Sequence, residues 1–232
     1  MIALIADIHG NYPALQAVLK DLDSLGCDEI ISLGDVAGYY CMVNECIDIL
    51  RQRSVTHLMG NHDEYIITRS HCPRSRSANR CLDYQQGKLT DINRRWLEQA
   101  PERFTSHNAS FVHGGWNDPI DEYLIKIHES YFEPLAGKFF FSGHTHVQAL
   151  VPFSEKVYCN PGSVGQPRDG DPRAAYAIFE KGEISLRHVE YDINAIATAM
   201  KTAGFEPGYS SNLYMGTRIG GNLTAVTITL KK

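Results

Sequence analysis

Residues 2–11 read IALIADIHGN, an apolar run that ends abruptly in an aspartate, a histidine, a glycine and an asparagine. Residues 2–6 are too few for a helix and suit a buried strand. Asn11 is placed to cap a helix, with Pro13 near its first turn. Leu15, Val18, Leu19, Leu22 and Leu25 then recur at helical spacing until Gly26 stops the helix. The pattern continues with a strand over residues 29–33, a helix over 44–52 and a strand over 55–59. This β-α-β-α-β order predicts parallel strands joined by right-handed crossovers.

Outward from that unit the pattern changes twice. Residues 64–100 are polar and helical, and Thr90 is placed to cap a helix that carries Ile92, Trp96 and Leu97 inward. From Phe104 onward, short strands are expected near residues 110–113, 138–142, 147–151, 156–159 and 174–179. Lys181-Gly182 reads as a hairpin turn into a strand over 184–189. Asp192 is expected to cap a helix over 193–203 that Gly204 ends. In residues 223–230, Val226, Ile228 and Leu230 alternate with Thr227 and Thr229, the pattern of a half-exposed strand. Such a strand covers a sheet edge or pairs between subunits, and the oligomeric state stays open. The chain carries no repeat, linker or low-complexity stretch, so one domain over residues 1–232 is expected.

Composition narrows the function. The 232 residues are 43% hydrophobic and 21% charged, enough to bury a sizeable core. A net charge of −5 argues against nucleic acid or an anionic membrane as a bulk partner. Six cysteines without a CxxC pair point to reduced thiols in a cytoplasmic protein. Met1 leads straight into the apolar run with no basic segment before it, and no run nears the roughly 20 apolar residues that span a bilayer.

Each notable polar cluster follows a predicted strand: Asp7-Ile8-His9, Gly34-Asp35, Gly60-Asn61-His62-Asp63, Val112-His113-Gly114-Gly115 and Gly143-His144-Thr145-His146. Strand ends in such folds converge on one edge, where ligands bind. In extended backbone, residues i and i+2 project the same way, so Asp7 with His9, and His144 with His146, are expected to grip an ion in pairs. Imidazole, carboxylate and one carboxamide together suit Mn, Fe or Zn better than Ca or a thiolate zinc site. One histidine or aspartate at a strand end is ordinarily a turn residue. Five segments in this order are a different matter. His57, His107, His128 and His188 lack such context and read as surface or packing residues.

The order DxH, GD, GNHD, VHGG, GHTH resembles the calcineurin-like metallophosphoesterase superfamily. The stretches DIHGNYPAL at residues 7–15, LGDVAGY at 33–39 and NPGSVGQPRDGDPRAAY at 160–176 resemble its small bacterial and archaeal phosphodiesterase-like branch. The resemblance covers residues 2–205 and leaves 206–232 as a C-terminal extension. It implies an α+β fold, an α/β/β/α four-layer sandwich of two mixed β-sheets packed face to face and flanked by helices. It also implies that Asp7, His9 and His146 hold one divalent metal ion, that Asn61, His113 and His144 hold a second, and that Asp35 bridges them. Manganese is the favoured ion, with iron, zinc, nickel or magnesium as alternatives. A metal-bridging hydroxide would then attack the phosphate, with His62 assisting the leaving group and Asp63 orienting His62.

The departures from the pattern bear on the substrate. Protein phosphatases of the superfamily share a GDxxDRG segment whose arginine approaches the phosphate, whereas residues 34–40 here read GDVAGYY. A diester carries less charge than a monoester and needs fewer cationic clamps, so phosphodiesters of a small or nucleotide kind are expected. A phosphomonoesterase or protein phosphatase is the alternative. A non-catalytic scaffold would be expected to have lost ligands, and here all seven and His62 are present. Candidate substrate contacts are Tyr39 or Tyr40, Arg168, and Arg74 among the cluster Arg69, Arg74, Arg76 and Arg80.

Overall fold

The computed structural model describes residues 1–27, 29–106 and 108–230, so the expectation for His107 lies outside the described residues. The opening run forms β1 (Ile2–Ile5). Asn11 accepts from the Ala14 amide to cap α1 (Tyr12–Leu25), which Gly26 ends in the left-handed region. β2 (Glu29–Ser32), α2 (Val43–Gln52) and β3 (Thr56–His57) complete the expected alternation, with β1, β2 and β3 paired in parallel.

The polar middle forms α3 (Asn61–Thr68), α4 (Arg76–Gln86) and α5 (Asp91–Glu98). Thr90 caps α5 by accepting from the Asn93 amide. The inward face differs from expectation at one position: Leu97 is buried and Trp96 half-buried, but Ile92 is 49% exposed. Asn93 turns inward instead, because Arg51 and Asn44 satisfy its amide there.

β4 (Arg103–Ser106), β5 (Ala109–Val112), β6 (Lys126–His128), the one-turn α6 (Glu129–Phe132), β7 (Phe139–Phe141), β8 (Gln148–Pro152) and β9 (Val157–Pro161) follow. β10 (Ala174–Glu180) and β11 (Glu183–Val189) form the expected hairpin, with Lys181 and Gly182 both at positive φ. Asp192 caps α7 (Ile193–Thr202), and β12 (Thr227–Thr229) follows near the C-terminus.

The strands make two five-stranded sheets, ordered β11-β10-β1-β2-β3 and β4-β5-β7-β9-β8. Both are mixed, since β10 runs antiparallel to β1 while β5, β7 and β9 pair in parallel. Side-chain alternation builds the layers. Leu4, Ala6, Ile31 and Leu33 meet Phe111, Phe141 and Cys159 between the sheets. Ala3, Ile5 and Ile30 face outward into the core beneath α1 and α2 with Leu15, Val18 and Ile47. On the far side, Val112, Phe140, Val151 and Tyr158 pack against Trp116 and Phe132. That fourth layer is thin: α6, the Trp116 loop and a two-stranded ribbon in which β12 pairs in parallel with β6. The C-terminal strand thus finds its partner within the chain. Among the described residues, no helix is long and apolar enough to cross a membrane.

Candidate metal centre

The five polar segments leave the carboxyl ends of β1, β2, β3, β5 and β7, and the two facing sheets bring those ends together. The backbone there is not extended. Asp7, His9, Asp35, His144 and His146 all have φ between 53° and 66°. Each such left-handed residue costs on the order of 1 kcal/mol, a strain that clusters at functional sites. The i, i+2 projection expected for Asp7 with His9 and for His144 with His146 is therefore replaced by a tighter turn. Backbone bonds hold it: Asp7 N–H donates to Gly34 O (3.1 Å), His9 N–H to Asp35 O (3.0 Å) and Tyr40 N–H to His9 O (2.8 Å). The loops approach so closely that a Cβ at Gly60 would collide with the amide and carboxylate of Asp35.

Two clusters result. In the first, His146 Nε2 lies 3.0 Å from His9 Nε2 and 3.3 Å from Asp7 Oδ1. In the second, His113 Nε2 lies 3.1 Å from Asn61 Oδ1, 3.2 Å from His144 Nδ1 and 3.4 Å from Asp35 Oδ2. Asp35 Oδ2 is also 3.7 Å from His9 Nε2, so this oxygen stands between the clusters. The tautomers follow from outer hydrogen bonds, each Nδ1 donating over 2.7 Å to a carbonyl: His9 to Ala37, His146 to Gln166, His113 to Leu33. Their Nε2 atoms then point at one another and at carboxylate oxygens. Asp7 Oδ1 and Asp35 Oδ2 are buried with no hydrogen-bond partner.

Such a set of converging acceptors suits a cation. A spacing of 3.0 Å fits two imidazole nitrogens that each lie about 2.1 Å from one ion. Asp7, His9 and His146 form one candidate metal group, and Asp35, His113 and His144 another, all buried. Without metal the electrostatics are conflicted. Burial raises the Asp7 carboxyl to about 7. Burial also holds His9, His144 and His146 well below the ordinary imidazole range. At His113 burial opposes charge, but the Asp35 carboxylate outweighs it and raises the pKa to about 9.

His62, the second residue of α3, sends its backbone N–H to Asp35 Oδ1 (2.8 Å). Its ring lies 5.0 Å from His9 and 5.1 Å from Tyr39, and its Nδ1 is buried without a partner. Asp63 does not orient that ring. Its carboxylate accepts from the amides of Asp35 (2.7 Å), Ala37 (2.9 Å) and Gly60 (3.2 Å), and pairs with His57 Nε2 at 3.1 Å. As third residue of α3 it faces back over the helix N-terminus, the reciprocal half of a capping box. His57, expected to be a packing residue, is buried between Ser32 Oγ, Asp63 and the Trp96 ring.

A cavity of about 300 Å³ opens over this centre, lined by His62, Tyr39, Arg74 and Arg168 among others. All three candidate substrate residues therefore reach it. Tyr40 does not: it is fully buried, its hydroxyl accepting from Gln166 and Asn212. Of the arginine cluster after GNHD, only Arg74 lines the cavity, in a bidentate pair with Asp121. Arg168 is 6% exposed; it donates to Gln166 Oε1 and the Tyr123 hydroxyl and lies over the Tyr39 ring.

Residues 1–183 match the family described as the calcineurin-like phosphoesterase superfamily domain. The chain belongs to that superfamily. As a calcineurin-like phosphoesterase it is a hydrolase of phosphoric esters, and the family implies divalent metal ions. It is 32% identical over 218 residues to an uncharacterized protein of Methanocaldococcus jannaschii, covering 83% of this chain and 88% of that one. It also resembles the crystal structure of a metallophosphoesterase from Sphaerobacter thermophilus (32% identity, TM-score 0.82, 93% of this chain and 99% of that one). A hypothetical protein from Pyrococcus horikoshii OT3 shares the fold (21% identity, TM-score 0.81, 93% and 99% coverage).

Three residues of this phosphoesterase were missed from sequence. Asp121 Oδ1 lies 3.5 Å from His144 Nε2, the ring nitrogen turned away from the cluster. Tyr123 stands edge-on to His144, centroids 4.7 Å apart, and Arg218 reaches the cavity from the C-terminal extension. Asp121 and Tyr123 sit in a loop with no motif, and nothing in the local sequence marks them.

Proposed function

We propose that this protein is a dinuclear metal-dependent phosphodiesterase acting on a small phosphate ester or nucleotide. The observation that carries this reading is the position of Asp35 Oδ2, a buried oxygen without a partner set between two clusters of converging ligand atoms. In this reading Asp7, His9 and His146 hold one ion, Asn61, His113 and His144 the other, and Asp35 both, with manganese favoured. When bound, two such ions lower the pKa of a coordinated water toward about 7 and neutralise charge on phosphoryl oxygens.

The rest is done by the chain. His62 lines the cavity and hydrogen-bonds the leaving oxygen. Tyr39 walls the cavity beside His9 and His62, and its largely buried ring excludes water from that side. Arg74 and Arg168 both line the cavity and supply substrate contacts. The diester preference is supported at the turn after Asp35. Gly38-Tyr39-Tyr40 stand where protein phosphatases of this superfamily have DRG, so Tyr39 occupies the arginine's position in the chain, and a Cβ at Gly38 would strike His9.

The test is hydrolysis of bis(p-nitrophenyl) phosphate and p-nitrophenyl phosphate by protein reconstituted with Mn. Preference for the diester is expected. A monoester preference of about tenfold, close to 1.4 kcal/mol, would reverse the assignment.

A further inference from the structure

The cavity has a second cationic wall that the scissile phosphate does not require. Arg168 Nη1 and Arg218 Nη2 both donate to the Tyr123 hydroxyl, at 3.3 Å and 2.6 Å. Arg74 is answered by Asp121, but neither Arg168 nor Arg218 forms an ion pair among the described residues. Guanidinium does not deprotonate, and a buried charge calls for a counter-ion. Arg168 is buried, and among the described residues its side-chain hydrogen-bond acceptors are the neutral Gln166 and Tyr123.

Arg218 is held in place. Its Nε donates to Thr224 Oγ1 (2.9 Å), the Thr224 amide donates to Arg168 O (2.9 Å), and Gly170 N–H bonds Gly216 O (3.0 Å). The C-terminal segment is thereby fastened to the loop that carries Arg168. Tyr123 measures the distance to the metal centre: its ring stands 4.7 Å from that of His144, and its hydroxyl touches Arg218. Arg218 is thus one tyrosine length from a candidate metal ligand and opens on the same cavity.

We propose that Arg168, Tyr123 and Arg218 form a second anion subsite, which binds a phosphoryl group that the substrate carries beside the one hydrolysed. This rests on the phosphoesterase reading and narrows the substrate to esters with at least two phosphoryl groups. A simple dialkyl phosphate, whose single negative charge is taken up at the metal centre, would leave the two guanidinium groups unanswered. A nucleotide with a further phosphate would not.

The test reads binding rather than turnover, so inactivity toward a chromogenic ester does not decide it. Methylphosphonate, methylenediphosphonate and trimethylenediphosphonate are titrated calorimetrically into Mn-loaded wild-type protein, Arg218→Gln and Arg218→Lys. In wild type at least one diphosphonate should bind about tenfold or more tighter than methylphosphonate, as expected of charge-assisted contacts. That advantage should shrink to about threefold or less in Arg218→Gln and be partly restored in Arg218→Lys. Circular dichroism and bound-metal content of the variants establish that they are folded and loaded. An advantage unchanged in folded Arg218→Gln would place the second phosphonate on the metals and overturn the inference, as would no advantage in wild type.

Discussion

The Nε2 atoms of His9 and His146 lie 3.0 Å apart, although each ring donates its Nδ1 hydrogen to a backbone carbonyl. Two lone pairs held face to face repel, and a shared cation turns that repulsion into ligation. Metal should therefore stabilise the fold. Saturation at about 100 times Kd is worth roughly 2.7 kcal/mol per ion, which for this chain length raises Tm by about 5–10 °C. Calorimetry with EDTA and then excess Mn measures it. A Tm indifferent to metal would contradict the ligand assignment.

His62 and Asp63 are neighbours with separable roles. His62→Ala should keep both metals and lose about 10²–10⁴-fold in turnover. Asp63→Ala strands the amides of Asp35, Ala37 and Gly60, and should destabilise the protein by roughly 3 kcal/mol or more. Denaturant midpoints and metal content by mass spectrometry distinguish them. If the two variants lost metal equally, His62 would have been assigned the wrong part.

Asp121 lies beside the outer nitrogen of His144. A carboxylate in that position fixes the ring and raises its basicity, and losing it typically costs about 10–100-fold in affinity for one ion. Asp121→Asn should weaken a single metal equivalent while the ion at Asp7, His9 and His146 stays tight. A competitive chelator titration resolves the two. Uniform weakening of both sites would rule out a local effect.

Acid should destabilise the metal-free protein. His9, His62, His144 and His146 are all held below the ordinary imidazole range, chiefly by burial, so they stay neutral in the fold. Unfolded, they take up protons below about pH 6.5. Between about pH 6.5 and 4, Asp7, raised to about 7 mainly by burial, and Glu64, raised chiefly by burial, work the other way, keeping their protons in the fold and releasing them on unfolding. His113, raised to about 9 as Asp35 outweighs burial, is protonated in both states there and acts only at higher pH. Stability must therefore fall as pH drops through this window. Thermal scans with EDTA from pH 7 to 4.5 should show a decreasing Tm; a rising one would mean the four rings are not neutral.

Much of the fold was legible because periodicity is local. The period-2 and period-3.6 patterns, with Asn11, Thr90 and Asp192 as caps, place the strands and helices near their observed bounds. Where a local reading failed, a distant contact had decided. Ile92 gave way to Asn93 because Arg51 and Asn44 wait on neighbouring elements. Asp63 faces the turn after Asp35 rather than His62, since three amides of other segments converge on its carboxylate. His57 is the packing residue the sequence suggested, and only the fold shows that it packs on Trp96 between Ser32 and Asp63.

By itself the sequence determined which residue types stand at the strand ends, and hence the candidate ligands from Asp7 to His146, because a strand followed by a polar turn is written within a few residues. Only the tertiary structure decided how those residues meet. Left-handed backbone at five of them turns the side chains into two clusters with Asp35 Oδ2 between them, and that strain persists only where the surrounding sheets over-determine it. The same holds for the outer wall of the cavity. Tyr123 and Arg218 are 95 residues apart in the chain and in contact in the fold, and no local pattern encodes a pairing that depends on where two loops end.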